Sequence, residues 1–162
     1  MSTTATQLSA KTLLQNVITR TSGMIIQDLA FIPEDKLNVS PMGCARTPLH
    51  FTAECAGFNM YVGKLLAGEV AERPSPEVRE QFYASIDTLE KATEAIRSSA
   101  DKILAGLENA DDEMLMKEIQ APWGATVPVY QLVQTAGVHM GYHDGQINYI
   151  QSLYGDGENH WS

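Results

Sequence analysis

The chain is poor in the residues that usually announce a chemistry. It has two cysteines, Cys44 and Cys55, with no Cys-x-x-Cys pair, so neither a redox motif nor a zinc knuckle is indicated. Basic residues are few: 11 Lys and Arg against 20 Asp and Glu give a net charge of -9. That balance argues against a nucleic-acid backbone or an anionic membrane as the main partner, because both repel it, although a local basic patch is still compatible with it. No apolar run approaches the length needed to span a bilayer. The opening MSTTATQLSAK lacks the apolar core of a signal peptide, so a cytoplasmic protein with reduced thiols is expected. No strand-like alternation stands out, and neither internal repeats nor low-complexity segments appear. A Gly-rich phosphate loop, a Ser-His-Asp order and a basic aromatic strip are all missing as well.

What remains is helical. At 162 residues the chain fits one domain, residues 1–162, large enough to bury a core without disulfides. A first helix is expected from about Leu8 to Leu29, with Leu13, Val17, Ile18, Ile25, Ile26 and Leu29 as its apolar stripe. Pro33 closes it, and a loop rich in Pro, Ser and Gly follows to Arg46. Thr47-Pro48 reads as an N-cap followed by proline at the first helical position, opening a second helix that stops near Gly68. Ser75-Pro76 opens a third by the same device. Its apolar positions run from Val78 to Leu107, with a possible break near Ser98-Ser99. The segment from Asn109 to Val127 reads mostly as loop, and the fourth helix runs from about Pro128 to Tyr154. Four helices, three of them long, predict an all-α fold, an antiparallel four-helix bundle.

On the last helix the core stripe is Val129, Leu132, Ala136, His139, His143, Ile147 and Ile150. The two histidines interrupt an apolar face that points into the bundle. A buried imidazole that is neither bonded nor ligated costs on the order of 1–3 kcal/mol. Residues four apart stack on one face, so both rings can point at a single ion. His50, in the first turn of the second helix, can supply a third nitrogen; the alternative is a helix-start histidine bonded to a loop. Glu54, one turn later, reads either as an acceptor beside the site or a base for a bound ligand, or as an exposed carboxylate. Gln146 can bond a ligand or a neighbouring helix. Cys44 and Cys55 are candidate reactive thiols or small packing residues, and Tyr142 and Tyr149 read as packing groups. His160 falls in the tail, either solvated or folded back as a fourth ligand. Glutamate does not follow the first helical histidine, where Met140 stands instead, which disfavours metalloprotease chemistry.

His143-Asp144-Gly145-Gln146 on a long last helix, His139 one turn earlier, and His50 just after a Thr-Pro helix start resemble the DinB-like (damage-inducible) four-helix-bundle superfamily. The resemblance extends along most of the chain, including Pro122-Trp123-Gly124 and a short tail ending in Trp161. It implies a divalent metal, nickel or zinc, on His50, His139 and His143, and a homodimer, a state with which the apolar circumference of the second helix is consistent. It also implies a small-molecule substrate and a low-molecular-weight thiol, since some members transfer or use such thiols. The position after the second histidine is often arginine in that superfamily; here it is Asp144, so an anion contact by that arginine is not carried over. Three neutral nitrogens leave such an ion an open position, where it can lower the pKa of a thiol. Two function classes follow: a metal-dependent thiol S-transferase type of enzyme, with Glu54 as catalytic residue and Gln146 at the ligand, or a non-catalytic metal-binding stress-response or interaction protein. A roomy pocket beside the histidines favours the first, and a filled bundle mouth favours the second.

Overall fold

The computed structural model describes residues 9–161. The expected helix start at Leu8 lies outside them. Helix α1 (Ala10–Leu29) begins at Ser9, whose side chain accepts from the Thr12 N–H. Helix α2 (Pro48–Leu66) starts at Thr47, whose hydroxyl accepts from the His50 N–H at 3.2 Å, so the cap that opens the helix also fixes the backbone of His50. Helix α6 (Val129–Leu153) is the longest and carries both helical histidines.

The expected third helix is two. Helix α3 (Pro76–Ser85) ends at Ile86, and α4 (Leu89–Asn109) begins afresh at Thr88. The Thr88 side chain accepts from the Lys91 N–H at 3.2 Å, and the Lys91 ammonium reaches the Asp87 carboxylate at 2.7 Å. Capping chemistry therefore sets the break at residues 86–88. At Ser98-Ser99 the helix continues, because the Ser99 hydroxyl donates back to the Ile96 carbonyl at 3.0 Å without disturbing the turn. The segment expected to be loop holds a short helix, α5 (Asp112–Met116), and two strands, β1 (Glu118–Gln120) and β2 (Thr126–Pro128). They pair antiparallel with Ile119 opposite Val127, and Gly124 turns between them at a φ of 93°, which L side chains rarely adopt. This hairpin leads directly into α6 and carries Trp123 at its tip.

Four long helices make the bundle: α1 packs on α6 and α4, and α2 on α4 and α6, while α3 lies against α2 alone among its larger contacts. The buried apolar residues form one cluster, with Ile18, Ile25, Leu29, Ile96, Ile103, Leu132 and Ile147 at its centre. Leu13 and Val17, expected in the stripe of α1, are exposed; Leu14 faces inward instead, together with Ile18, which was expected there. A Cβ on Gly106 would meet Leu66 at 2.5 Å, so glycine is what lets α4 close on α2. The apolar circumference of α2 is covered within the chain by α4, α6 and α3, except for the face that lines a cleft. Val78 and Phe82 of α3 are exposed rather than core; they form one wall of that cleft.

Candidate metal centre and cleft

His139 and His143 stack one turn apart on α6, and their Nε2 atoms lie 3.0 Å from each other. His143 is buried at 2 % exposure between the Phe51 ring, stacked at 4.9 Å, and the Tyr142 ring at 5.1 Å. Its Nδ1–H donates to Gln146 Oε1 at 2.6 Å, one turn along the same helix. That bond fixes the ring and aims Nε2 at His139 and Glu54. Gln146 therefore orients His143, and its amide nitrogen donates to the Tyr142 hydroxyl at 3.4 Å on the same helix.

Glu54 Oε2 approaches His143 Nε2 at 3.3 Å, and the same carboxylate is ion-paired to Arg46. The contact with His143, followed by the Arg46 charge and opposed by burial, lowers its pKa to about 2. Arg46 in turn lies over the Phe51 ring at 4.9 Å. Burial, and after it the charge of the neighbouring His143, lowers the pKa of His139. Its Nδ1 is buried with no hydrogen-bond partner among the described residues. His143 Nε2 lies 3.0 Å from His139 Nε2 and 3.3 Å from Glu54 Oε2. A proton or a cation must lie among them to offset their repulsion.

Sequence reasoning undervalued Cys55. Its sulfur and the ligand nitrogens of His139 and His143 all lie within 4.8 Å of one another. The thiol is fully buried, donates to the His139 carbonyl at 3.9 Å, and is pushed far above the usual thiol range by burial. No local signal marked it, since the residues it meets belong to a helix 84 positions away. Cys44 is exposed and apart. His50 stands outside this cluster. It lines the same cleft, with its ring edge-on to Tyr83 at 5.0 Å, and burial first, then Arg46, lowers its pKa. The structure thus brings His139, His143, Glu54 and Gln146 into contact and leaves His50 at their margin.

Nickel and zinc both accept neutral imidazole, and the donor set present suits them. Two ligand nitrogens on a tetrahedral zinc ion are about 3.3 Å apart, given bonds of about 2.0–2.1 Å. The 3.0 Å separation between the two Nε2 atoms is close to that spacing.

The centre opens into a cleft of about 1050 Å³ between α2, α3, the hairpin tip and α6. Half of the chain's aromatic residues line it, including Phe58, which meets His139 edge-on at 5.7 Å and Trp123 at 6.3 Å. The tail lies elsewhere. His160, expected to be solvated or to act as a fourth ligand, is neither: it stacks on Phe31 at 3.5 Å and bonds Asp156 at 2.9 Å. The Trp161 indole N–H donates to Asp28 at 2.9 Å.

No family model and no curated protein matches this sequence. Solved structures do match. The mycothiol-dependent maleylpyruvate isomerase aligns with a TM-score of 0.72 at 15% identity, over 86% of this chain and 61% of the isomerase. This chain therefore spans about three fifths of that enzyme's length. A protein from Streptococcus pneumoniae aligns with a TM-score of 0.70 at 18% identity, over 93% of this chain and 94% of the other. A conserved protein from Enterococcus faecalis gives 0.72 at 14%, over 91% and 98%. At such identities the likeness shows the fold alone, an all-α helical bundle that this chain shares with them.

Proposed function

We propose that this chain holds a divalent ion, nickel or zinc, on His139 and His143 with His50 as third ligand, and catalyses a thiol-dependent reaction of the S-transferase type. The observation that carries the proposal is the convergence of His139, His143 and the half-buried Glu54 at the base of a cleft large enough for two small molecules. The isomerase that shares the fold is, by its title, mycothiol-dependent, which supports a low-molecular-weight thiol as one of them. A roomy cleft beside the histidines favours an enzyme over a purely structural metal protein.

A bound divalent ion supplies a Lewis acid that lowers the pKa of a thiol. The chain's own residues do the rest. Gln146 holds the His143 ring, and burial keeps His139 and His50 neutral and so able to ligate. Glu54, with its pKa near 2 and its ion pair to Arg46, is a weak proton acceptor near neutrality, so its part in this reading is to position His143 and balance charge. Phe58 and Phe51 screen the rings from water. Cys55 is the alternative third ligand, favoured by its place in the cluster but opposed by its protonated, carbonyl-bonded thiol.

In this reading the protein works in the cytoplasm, where thiols stay reduced, and as a homodimer. The exposed Tyr142, Tyr149 and Leu153 of α6 offer the apolar surface for that association. Elemental analysis of protein purified without a histidine tag should find one nickel or zinc per chain. His50→Ala should lower that occupancy, while Cys55→Ala should leave it unchanged. Metal-free protein, or a thermal shift with no thiol tested, would end the reading. Light scattering that gives a monomer mass across a wide concentration range would end the dimer.

A further inference from the structure

The cleft reverses the sign of the molecule. Four of the chain's 11 Lys and Arg residues line it (Arg46, Lys64, Arg73 and Arg79) against only three of its 20 carboxylates. Two of those cations are already paired, Arg46 with Glu54 and Arg79 with Glu80. Lys64 and Arg73 are in no ion pair among the described residues. Arg73 donates to the Pro122 carbonyl at 3.5 Å, which sets its guanidinium beside Trp123 without neutralising it. Glu72 also lines the cleft, so this group of three charges is net positive.

These residues sit at the end of the cleft away from the metal centre. His50, Glu54, Gly57, Tyr61 and Lys64 follow one another at steps of four and three, so a single face of α2 runs the length of the cleft. At 1.5 Å per residue, Lys64 lies about 15 Å beyond Glu54 along the helix. Between the two ends the wall is aromatic, with Phe58 in contact with His139 on one side and Trp123 on the other. A half-buried lysine and an exposed arginine in an otherwise acidic chain, beside a half-exposed indole, are placed to meet an anion on an apolar body.

We propose that the outer end of the cleft, at Lys64, Arg73 and Trp123, is an anion subsite that takes the carboxylate of an elongated, partly apolar small molecule. The proposed thiol chemistry determines only what lies at the histidine end, so the subsite is tested without it. The probe is 2-naphthoate, compared by titration calorimetry with the uncharged 2-naphthylmethanol, on protein as purified and after treatment with a chelator. The acid should bind more tightly than the alcohol in both preparations. Lys64→Gln with Arg73→Gln should weaken the acid about tenfold and leave the alcohol unchanged. Lys91→Gln with Arg97→Gln removes the same charge from exposed positions of α4 outside the cleft, and should change neither. Trp123→Ala should weaken both. Absence of binding, equal affinity for acid and alcohol, or equal effects of the two charge pairs would overturn the subsite. Loss of acid binding on chelation, with no response to the Lys64 and Arg73 changes, would place the carboxylate on the metal, overturning the subsite while supporting the metal reading.

Discussion

His143 and Asp144 are neighbours on α6, and both are buried, at 2 % and 0 % exposure. Their fates differ because successive helical residues point about 100° apart. His143 turns toward α2, and Glu54 of that helix together with His139 and Gln146 of its own meets both ring nitrogens. Asp144 turns toward α1, where neither of its oxygens has a hydrogen-bond partner among the described residues. Its neighbour there is Asp28, also fully buried, with one oxygen bonded to the Trp161 indole and the other unpartnered. Burial, and after it the Asp28 charge, pushes the Asp144 pKa up to about 7. One side of the helix is thus a polar site built to hold something positive. The other is a carboxyl pair that is satisfied when it keeps a proton, sealed by the C-terminal tail. Burial of a polar group is no mark of function in itself; what separates the two sides is whether the surroundings supply partners and an opening.

The largest effect tests the functional side. His143→Ala should abolish metal retention and thiol-dependent turnover, because two remaining ligands hold a labile ion poorly. The fold should survive, since the apolar cluster shared by α1, α2, α4 and α6 is buried independently of this site. Unchanged helical circular dichroism with lost metal would sharpen the contrast, and full activity would break it.

Next comes the acid pair. The folded pKa of Asp144, about 7, lies above its unfolded 3.8, so the folded state binds the proton more tightly. The stability this confers is fully present below pH 3.8 and is lost as pH rises through about 7. Thermal melts should therefore show a fall between pH 5 and pH 8, on the order of 2 kcal/mol. In Asp144→Asn that fall should vanish. A variant that keeps the same slope would show that the pair is not protonated as described.

Glu54→Gln should keep the metal but lower turnover by about tenfold, through loss of the charge that orients His143. Because the Glu54 pKa is near 2, the pH–rate profile should show no limb between pH 5 and 8 that disappears in the variant. Such a limb would restore Glu54 to the role of base. The smallest effect concerns the tail: Trp161→Phe removes only the indole donor to Asp28 and should destabilise the fold by about 1 kcal/mol, with no change in metal content. A change in metal content would couple the two sides of α6.

Local chemistry was enough to read much of this chain in advance. Thr47-Pro48 and Ser75-Pro76 mark helix starts because caps and proline act within one turn, and both helices begin there. The pairing of His139 with His143 follows from helical spacing alone. The division of α3 from α4 was hidden because the apolar period continues from Val78 to Leu107 across the break, while the deciding cap at Thr88 looks ordinary in isolation. The short hairpin was missed because each of its three-residue strands is too brief to show alternation.

The sequence by itself determined the helical bundle, the two stacked histidines and the shortage of positive charge, since these depend on period, composition and caps. Only the tertiary structure decided that Cys55 meets the histidines, that His50 lines the cleft against Tyr83, and that Trp161 reaches Asp28 across 133 residues. It also gathered Lys64, Arg73 and Trp123 around one cleft. Contacts between distant parts of a chain depend on how whole helices are rotated and spaced. That is fixed by the packing of all their side chains at once, and no local window of sequence contains it.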